Sequence, residues 1–133
     1  MSGNNGQVVL LTGASSGIGK ATAMLLMEKG FHVYGTSRKA SGGSGSEPVF
    51  RSTSGGFVEM IPLDVTSEES AENAVHTVLE REGRIDVLIS NAGMGIAGAI
   101  EDTSAEEALK QFDVNFFGAL RVIRQVLPVM RKQ

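Results

Sequence analysis

The stretch that decides the fold reads Thr12-Gly13-Ala14-Ser15-Ser16-Gly17-Ile18-Gly19. An apolar run at residues 8–11 precedes it, and a segment at residues 20–29 with the pattern of an amphipathic helix follows it. A buried strand, a glycine-rich turn and a helix N-terminus in this order form an anion site. Glycines admit close approach of the backbone, and the unpaired N–H groups of the helix attract negative charge. The arrangement therefore predicts a site for a nucleotide phosphate.

Two phosphate-binding patterns fit this stretch to different degrees. The P-loop pattern requires Gly, four residues, then Gly-Lys-Ser/Thr. Gly19 and Lys20 are present, but Ala14 stands where the upstream glycine belongs and Ala21 where the magnesium-binding hydroxyl belongs. The dinucleotide pattern is Gly-x-Gly-x-x-Gly, whereas the order here is Gly-x-x-x-Gly-x-Gly. An ordinary glycine-rich turn between a strand and a helix is the third interpretation that this stretch alone leaves open.

Three further motifs make the pattern more specific. Asp64-Val65 and Asn91-Ala92-Gly93 each follow an apolar segment, and Asn115 begins the sequence Asn-Phe-Phe-Gly. Together with the glycine-rich turn and the Thr12 that precedes it, these motifs resemble, in order and in context, those of the short-chain dehydrogenase/reductase family. The resemblance covers residues 7–131 and implies a Rossmann-type fold that binds a nicotinamide dinucleotide.

In the family that the sequence resembles, these motifs hold the cofactor. The resemblance places the phosphates on the glycine-rich turn, the adenine beside Asp64 and Val65, the adenosine ribose along residues 91–93 and the nicotinamide ribose near Val114. Asn115 matches the asparagine of the catalytic tetrad, which holds a proton-relay water in an intact enzyme. The predicted cofactor-binding residues are Gly13, Ser15, Ser16, Gly17, Ile18, Gly19, Ser37, Arg38, Asp64, Val65, Asn91, Ala92, Gly93 and Val114.

The sequence departs from the family at the catalytic centre. In the family, a serine and a Tyr-x-x-x-Lys motif follow the helix that carries the asparagine, whereas this sequence ends at Gln133. Its only tyrosine, Tyr34, is followed four residues later by Arg38 and not by lysine. We therefore expect residues 1–133 to form one NAD(P)-binding domain that is incomplete at its C-terminus and inactive alone.

Strands and helices alternate along the chain. The apolar pattern predicts strands near 7–12, 31–36, 57–63 and 85–90, and helices near 17–29, 67–82 and 104–131. Such alternation implies right-handed parallel crossovers, and hence an α/β fold with a three-layer, doubly wound parallel sheet. The resemblance implies the strand order 3-2-1-4, truncated before the later strands.

Local signals predict where the helices begin and end. Thr66 begins a Thr-x-x-Glu capping box for the second helix, and Thr103 and Ser104 each begin one for the third. Gly83 should end the second helix. Pro128 should bend or end the third helix nearby, because proline lacks a backbone donor.

One segment fits the alternation poorly. Residues 40–56 are rich in Gly and Ser and have no helical periodicity, although the family usually has a helix at this crossover. The composition predicts a flexible loop. A short helix around residues 48–51 is a second interpretation.

Composition restricts the classes of function. A net charge of −3 provides no positive field for nucleic acid. The absence of cysteine excludes disulfides and thiol chemistry and agrees with a cytoplasmic location. No apolar run approaches the roughly 20 residues that span a bilayer, and the first residues lack the pattern of a signal peptide. His32 and His76 have no partners at metal-binding spacing, so we expect no metal site.

The end of the second strand predicts which dinucleotide binds. NAD-preferring folds usually carry Asp or Glu about 20 residues after the glycine-rich turn, to bond the ribose 2′-hydroxyl. Here the sequence reads Thr36-Ser37-Arg38-Lys39, without an acid. Arg38 can bind a 2′-phosphate through charge-assisted hydrogen bonds, and Ser37 or Ser15 can add a neutral one. We expect NADP(H) to be preferred over NAD(H); the alternative is that Arg38 is only a solvated charge.

Two classes of function follow. The first, which the resemblance implies, is an NADP(H)-dependent oxidoreductase that passes hydride between nicotinamide and a carbonyl or alcohol substrate, bound only when the missing half is supplied. The second is a non-catalytic nucleotide-binding or interaction module from a truncated gene. An unpaired fourth strand and an uncovered apolar helix surface predict self-association. Neither nucleic acid nor a membrane is expected as a partner.

Overall fold

The computed structural model describes residues 6–40 and 49–133, which form alternating strands and helices. In chain order the elements are β1 (Val8–Leu11), α1 (Gly17–Glu28), β2 (His32–Ser37), β3 (Phe50–Arg51), β4 (Phe57–Pro62), α2 (Glu68–Glu82), β5 (Val87–Ile89), a 3-10 turn (Ile100–Asp102), α3 (Ala105–Phe112), a π-helical turn (Asp113–Phe117) and α4 (Gly118–Lys132). The predicted strands and helices are all present, within a few residues of their expected bounds.

One sheet contains all five strands, in the order β3-β4-β2-β1-β5. The four strands that the sequence predicts are parallel and lie in the predicted order, since Leu10 of β1 pairs with Tyr34 of β2 on one side and with Leu88 of β5 on the other. The doubly wound Rossmann-type fold is therefore confirmed.

The edge of the sheet differs from the sequence-based expectation. Phe50 and Arg51 form a strand that pairs antiparallel with β4, so the interpretation of a helix around residues 48–51 is wrong for these two residues. The chain reverses in the turn where the Ser52 N–H donates to the Gly56 carbonyl at 2.9 Å, which brings the new strand beside β4. Of the predicted flexible loop at residues 40–56, only residues 41–48 lie outside the described residues.

The sheet separates two apolar cores, which accounts for the three layers. Successive side chains of a strand point to opposite faces. Val8 and Leu10 of β1 pack with α2 and α4, whereas Val9 and Leu11 pack with α1. All four residues of β1 are fully buried, as expected for a central strand of a parallel sheet that is covered on both faces.

The helix starts agree only in part with the predicted capping boxes. Ser104 and Glu107 form the reciprocal capping box of α3, as predicted. The expected cap of α2 by Thr66 is wrong, because Ser67 is the N-cap and its hydroxyl accepts from the Ser70 N–H at 3.1 Å. The Thr66 hydroxyl instead donates to the carboxylate of Asp64 at 2.7 Å, and that charged acceptor competes for it. Gly83 ends α2 with a φ of 70°, as expected.

The third predicted helix, expected near residues 104–131, runs from Ala105 to Lys132, so Pro128 ends it only four residues later at most. It is divided into α3, the π-helical turn and α4, and Pro128 lies inside α4, which extends to Lys132. Pro128 is exposed, so the carbonyl that lacks its donor can bond to water instead of ending the helix. No helix within residues 6–40 and 49–133 is long and apolar enough to cross a membrane.

A polar cluster ties β2 to the end of α2. The buried Tyr34 hydroxyl donates to Glu82 Oε1 at 2.8 Å, and His32 Nδ1 lies 3.2 Å from Glu82 Oε2. Burial, followed by the hydrogen bond to Glu82, raises the pKa of Tyr34 well above its usual range. The neutral phenol is therefore the form that the fold stabilises.

We predict that Tyr34→Phe lowers the free energy of unfolding at pH 7 by about 1.5–3 kcal/mol, because a hydrogen bond to a carboxylate is lost. A raised pKa in the folded state means that the stabilisation is complete below the ordinary tyrosine pKa of about 10. It is then lost as pH rises toward the folded pKa. The difference between wild type and variant, measured by urea denaturation, should shrink by about 1.4 kcal/mol between pH 8 and pH 11. A constant difference would contradict the assignment.

Candidate functional site

The carboxyl ends of the four parallel strands open into one cleft with a volume of about 1040 Å³. A crevice at this edge of an open α/β sheet, where the strand order reverses, is the usual ligand site of such folds. Each of the predicted cofactor-binding residues lines it: Gly13, Ser15, Ser16, Gly17, Ile18, Gly19, Ser37, Arg38, Asp64, Val65, Asn91, Ala92, Gly93 and Val114. Residues that are distant in the sequence therefore meet in a single cavity.

The glycine-rich turn forms one wall of the cleft. Gly13 has a φ of 69° and Gly17 a φ of 57°, both in the left-handed region that favours glycine. A Cβ on Gly19 would lie 2.0 Å from the Gly13 carbonyl oxygen, so only glycine permits this approach. Ser16 is the N-cap of α1, but its side chain makes no capping hydrogen bond. The N-terminal N–H groups of α1 therefore remain available to an anion.

Hydrogen bonds join the carboxyl ends of β1 and β5. The buried Thr12 hydroxyl accepts from the backbone N–H groups of Asn91 and Ala92 at 3.0 and 2.9 Å. The Asn91 amide donates in return to the carbonyls of Thr12 and Gly13 at 3.2 and 2.9 Å. Asn91 thus fixes the glycine-rich turn in addition to lining the cleft, a role that the sequence motif did not reveal.

Asn115 is the one predicted site residue that does not line the cleft. It lies in the π-helical turn, where its side-chain oxygen accepts from the Met94 N–H at 2.8 Å and its amide donates to the Met94 carbonyl at 2.7 Å. The side chain therefore fastens the helix to the loop after β5. Its expected role in holding a proton-relay water stays a prediction.

Asp64 is the one acid among the described residues that line the cleft. Its Oδ1 accepts from the N–H and the hydroxyl of Thr66 at 2.9 and 2.7 Å. These two bonds, with smaller contributions from the charges of Arg38 and Arg121, hold the pKa of Asp64 below its ordinary value. Among the described residues its other oxygen, Oδ2, accepts no hydrogen bond, so an ionised acceptor remains for a ligand.

Cations dominate the lining of the cleft. Arg38, Lys39 and Lys110 line it together with one acid, Asp64, although the whole chain carries a net charge of −3. Sequence reasoning missed two of these cations. Lys39 directly follows Arg38, and Lys110 precedes Val114 by one helical turn, so their spacing could have indicated them. The other lining residues that it missed are Thr36, Leu63, Thr66 and Met94.

We predict that Gly19→Ala lowers the free energy of unfolding by about 1–3 kcal/mol, because its Cβ would meet the Gly13 carbonyl and the Asn91 amide. Helix propensity alone would make the alanine variant more stable, by about 1 kcal/mol relative to glycine. We expect the opposite effect on the free energy of unfolding. Urea denaturation measures the change. Gly95→Ala is the matched control, since nothing lies within 4 Å of its Cβ position. Equal or higher stability of the Gly19 variant would refute the close packing.

Sequence comparison finds relatives along almost the entire chain. The family model for short chain dehydrogenase matches residues 7–133. A 3-ketodihydrosphingosine reductase of Bacteroides thetaiotaomicron is 48% identical over 126 residues, which are 95% of this chain and 43% of that protein. Retinol dehydrogenase 8 of Homo sapiens is 35% identical over 130 residues, which are 96% of this chain and 41% of that protein. The chain thus spans less than half the length of these curated relatives.

Solved structures share the fold. The ligand-free aldohexose dehydrogenase of Thermoplasma acidophilum aligns with a TM-score of 0.80 at 29% identity, covering 97% of this chain and 46% of that one. An alcohol dehydrogenase from the archaeon Thermococcus sibiricus, complexed with 5-hydroxy-NADP, aligns with a TM-score of 0.79 at 29% identity, covering 95% of this chain and 54% of that one. With a family model that matches residues 7–133, the chain belongs to the short-chain dehydrogenase family.

Proposed function

We propose that the chain is the NADP(H)-binding part of a short-chain oxidoreductase, which transfers hydride between nicotinamide and a carbonyl or alcohol substrate. The observation that carries this proposal is the cleft at the carboxyl ends of β1, β2, β4 and β5, which collects the fourteen residues that the family resemblance and the end of β2 predict. The chain also belongs to a family of dehydrogenases, which supports hydride transfer as the reaction.

The chemistry of the cleft fits a dinucleotide. Its volume of about 1040 Å³ suits a large ligand, and its lining carries an excess of cations for the phosphates. Gly13 and Gly19 approach each other closely and leave backbone N–H groups uncovered at the start of α1. The helix dipole would stabilise a negatively charged pyrophosphate at this position. When bound, the nicotinamide supplies or accepts the hydride.

Each wall of the cleft has a separate task in this proposal. The glycine-rich turn binds the pyrophosphate, and the ionised Asp64 accepts from the adenine amine while Val65 packs beside the ring. Residues 91–93 line the adenosine ribose, and Val114 lines the nicotinamide ribose. Asn115 acts from outside the cleft, because its amide holds the backbone of Met94 in place.

The end of β2 supports a preference for NADP(H). Arg38 and Lys39 are exposed at the mouth of the cleft, and the Ser37 hydroxyl accepts from the Lys39 N–H at 3.1 Å. No carboxylate follows β2 at the position that would bond a ribose 2′-hydroxyl and repel a 2′-phosphate. A charged hydrogen bond contributes about 1.5–3 kcal/mol, so NADP(H) should bind at least about tenfold more tightly than NAD(H).

We predict that Arg38→Asp abolishes this preference, because the introduced carboxylate repels a 2′-phosphate and can accept from a 2′-hydroxyl. Calorimetric titration of wild type and variant with NADPH and NADH measures the ratio of affinities. Arg51→Asp is the matched control, since it makes the same change of charge on β3, outside the lining of the cleft. Equal affinities in the wild type, or an unchanged ratio in the Arg38 variant, would refute NADP(H) selectivity.

The names of the relatives suggest a substrate. The Bacteroides protein is named a 3-ketodihydrosphingosine reductase, which supports a ketone related to sphingosine as the substrate of the whole enzyme. The alternative is a non-catalytic nucleotide-binding or interaction module. Turnover of a ketone separates the two classes.

We predict that these 133 residues alone do not reduce ketones, because they offer no positioned acid to donate the proton. The only tyrosine is Tyr34, which is buried with its hydroxyl bonded to Glu82. The assay follows NADPH oxidation with a panel of ketones, and a full-length short-chain reductase serves as the positive control. Substrate-dependent oxidation of NADPH by the chain would overturn this expectation.

Self-association is part of the proposal. Apolar side chains on α3, the π-helical turn and α4 are unusually exposed, among them Leu109 at 71%, Phe112 at 63% and Phe116 at 54%. Among the described strands, β5 pairs only with β1, so its other edge has no neighbour. A second copy could cover both features, which stays a prediction.

A further inference from the structure

Arg121 lies in the first turn of α4, with its side chain 20% exposed. Its Nη1 donates to the Val65 carbonyl at 3.2 Å and to the Asp113 carbonyl at 3.3 Å. Its Nη2 donates to the Asp113 carboxylate at 2.7 Å. One guanidinium therefore bonds two segments of the chain that are 48 residues apart in sequence.

Both segments contribute to the lining of the cleft, and they are neighbours because one guanidinium nitrogen bonds to a carbonyl of each. Val65 lines the cleft from the loop after β4, and Asp113 directly precedes Val114, which lines it from the helical side. Arg121 does not line the cleft itself. The rigid fork of a guanidinium suits this bridge better than a flexible ammonium, because its donors keep fixed directions.

Two further contacts join α4 to the loop after β4 and to the start of α2. A Cβ on Gly118 would lie 2.7 Å from Val65 Cγ2 and 3.2 Å from the Val65 carbonyl oxygen, so the backbone of α4 rests directly on Val65. Arg121 Nε also lies 3.6 Å from Glu68 Oε1, at the start of α2. The loop that carries Asp64 and Val65 is thus held from the α4 side, with Arg121 as its polar anchor.

We propose that Arg121 is a positioning residue of the cofactor cleft, which sets the separation between the Asp64–Val65 loop and the helical wall at Val114. The inference rests on the proposed function, in which Asp64 and Val65 recognise the adenine. If the anchor is removed, the Val65 carbonyl loses a charged donor and the loop can shift. Recognition of the adenine amine should then weaken more than the affinity for the phosphates, which bind at the glycine-rich turn.

The experiment compares NADPH with deamino-NADPH, in which an oxygen replaces the adenine amine. Wild type, Arg121→Met, Arg121→Lys and Arg124→Met are titrated with both cofactors by calorimetry, well below their melting temperatures. Arg124→Met is the matched control, because Arg124 is exposed on the same helix, one turn further on. The ratio of the two affinities reports adenine recognition, which a general loss of stability would leave unchanged.

We expect wild type and Arg124→Met to prefer NADPH by roughly tenfold. In Arg121→Met the preference should fall below roughly twofold. Arg121→Lys keeps the charge but not the planar guanidinium, so its preference for NADPH should lie between those of the wild type and Arg121→Met. This variant also keeps the test valid if the methionine variant folds poorly. An unchanged ratio in both Arg121 variants would overturn the inference alone. Equal affinity of the wild type for both cofactors would overturn the inference together with the proposed bond between Asp64 and the adenine amine, but not the binding of the dinucleotide. Absence of NADPH binding by the wild type would overturn the proposed function together with the inference.

Discussion

The hydrogen bonds between the ends of β1 and β5 are the constraint on which the cleft depends. The Thr12 hydroxyl is fully buried and accepts from two backbone N–H groups, while the Asn91 amide returns two bonds to the carbonyls of Thr12 and Gly13. A buried polar group is costly unless it is bonded, and each of these groups satisfies another. The turn after β1 and the loop after β5 therefore hold their positions together.

Because these hydrogen bonds hold the two loops close together, Gly13 and Gly19 cannot be replaced by larger residues without a clash. A Cβ on Gly13 would lie 2.9 Å from the Ala92 Cα, and one on Gly19 would lie 2.5 Å from the Asn91 amide nitrogen. The same hydrogen bonds that hold the strands together thus leave no room for side chains between them. At the glycine-rich turn the cleft is therefore lined by backbone, with the N-terminus of α1 beside it and cations at the rim. This combination attracts a phosphate rather than an apolar ligand.

The sequence allowed prediction of what local patterns determine. The four parallel strands, α1 and α2, the capping box at Ser104 and fourteen of the residues that line the cleft follow from short motifs and from family resemblance. It did not predict features that depend on which particular groups come into contact. Strand β3 requires a partner edge on β4, Thr66 is drawn from its expected cap by Asp64, and Lys110 reaches the cleft only because α3 lies beside it. Of these three outcomes, only the position of Lys110 depends on segments that are far apart in the sequence, because β3 pairs with the next strand of the chain and Thr66 bonds to Asp64 two residues before it.

The contacts of Arg121 could not be predicted from the sequence either. In the sequence it is one of several cations in the later part of the third predicted helix, where complementing the helix dipole is a sufficient explanation. The π-helical turn and the close contact of Gly118 with Val65 bring its guanidinium within hydrogen-bond distance of both Val65 and Asp113. The helical run from α3 to α4 thus contacts the loop after β5 through Asn115 and the loop after β4 through Arg121. Its outer face carries exposed aromatic rings. A partner that packs on those rings would therefore contact the same helical run that bonds to both loops of the cleft.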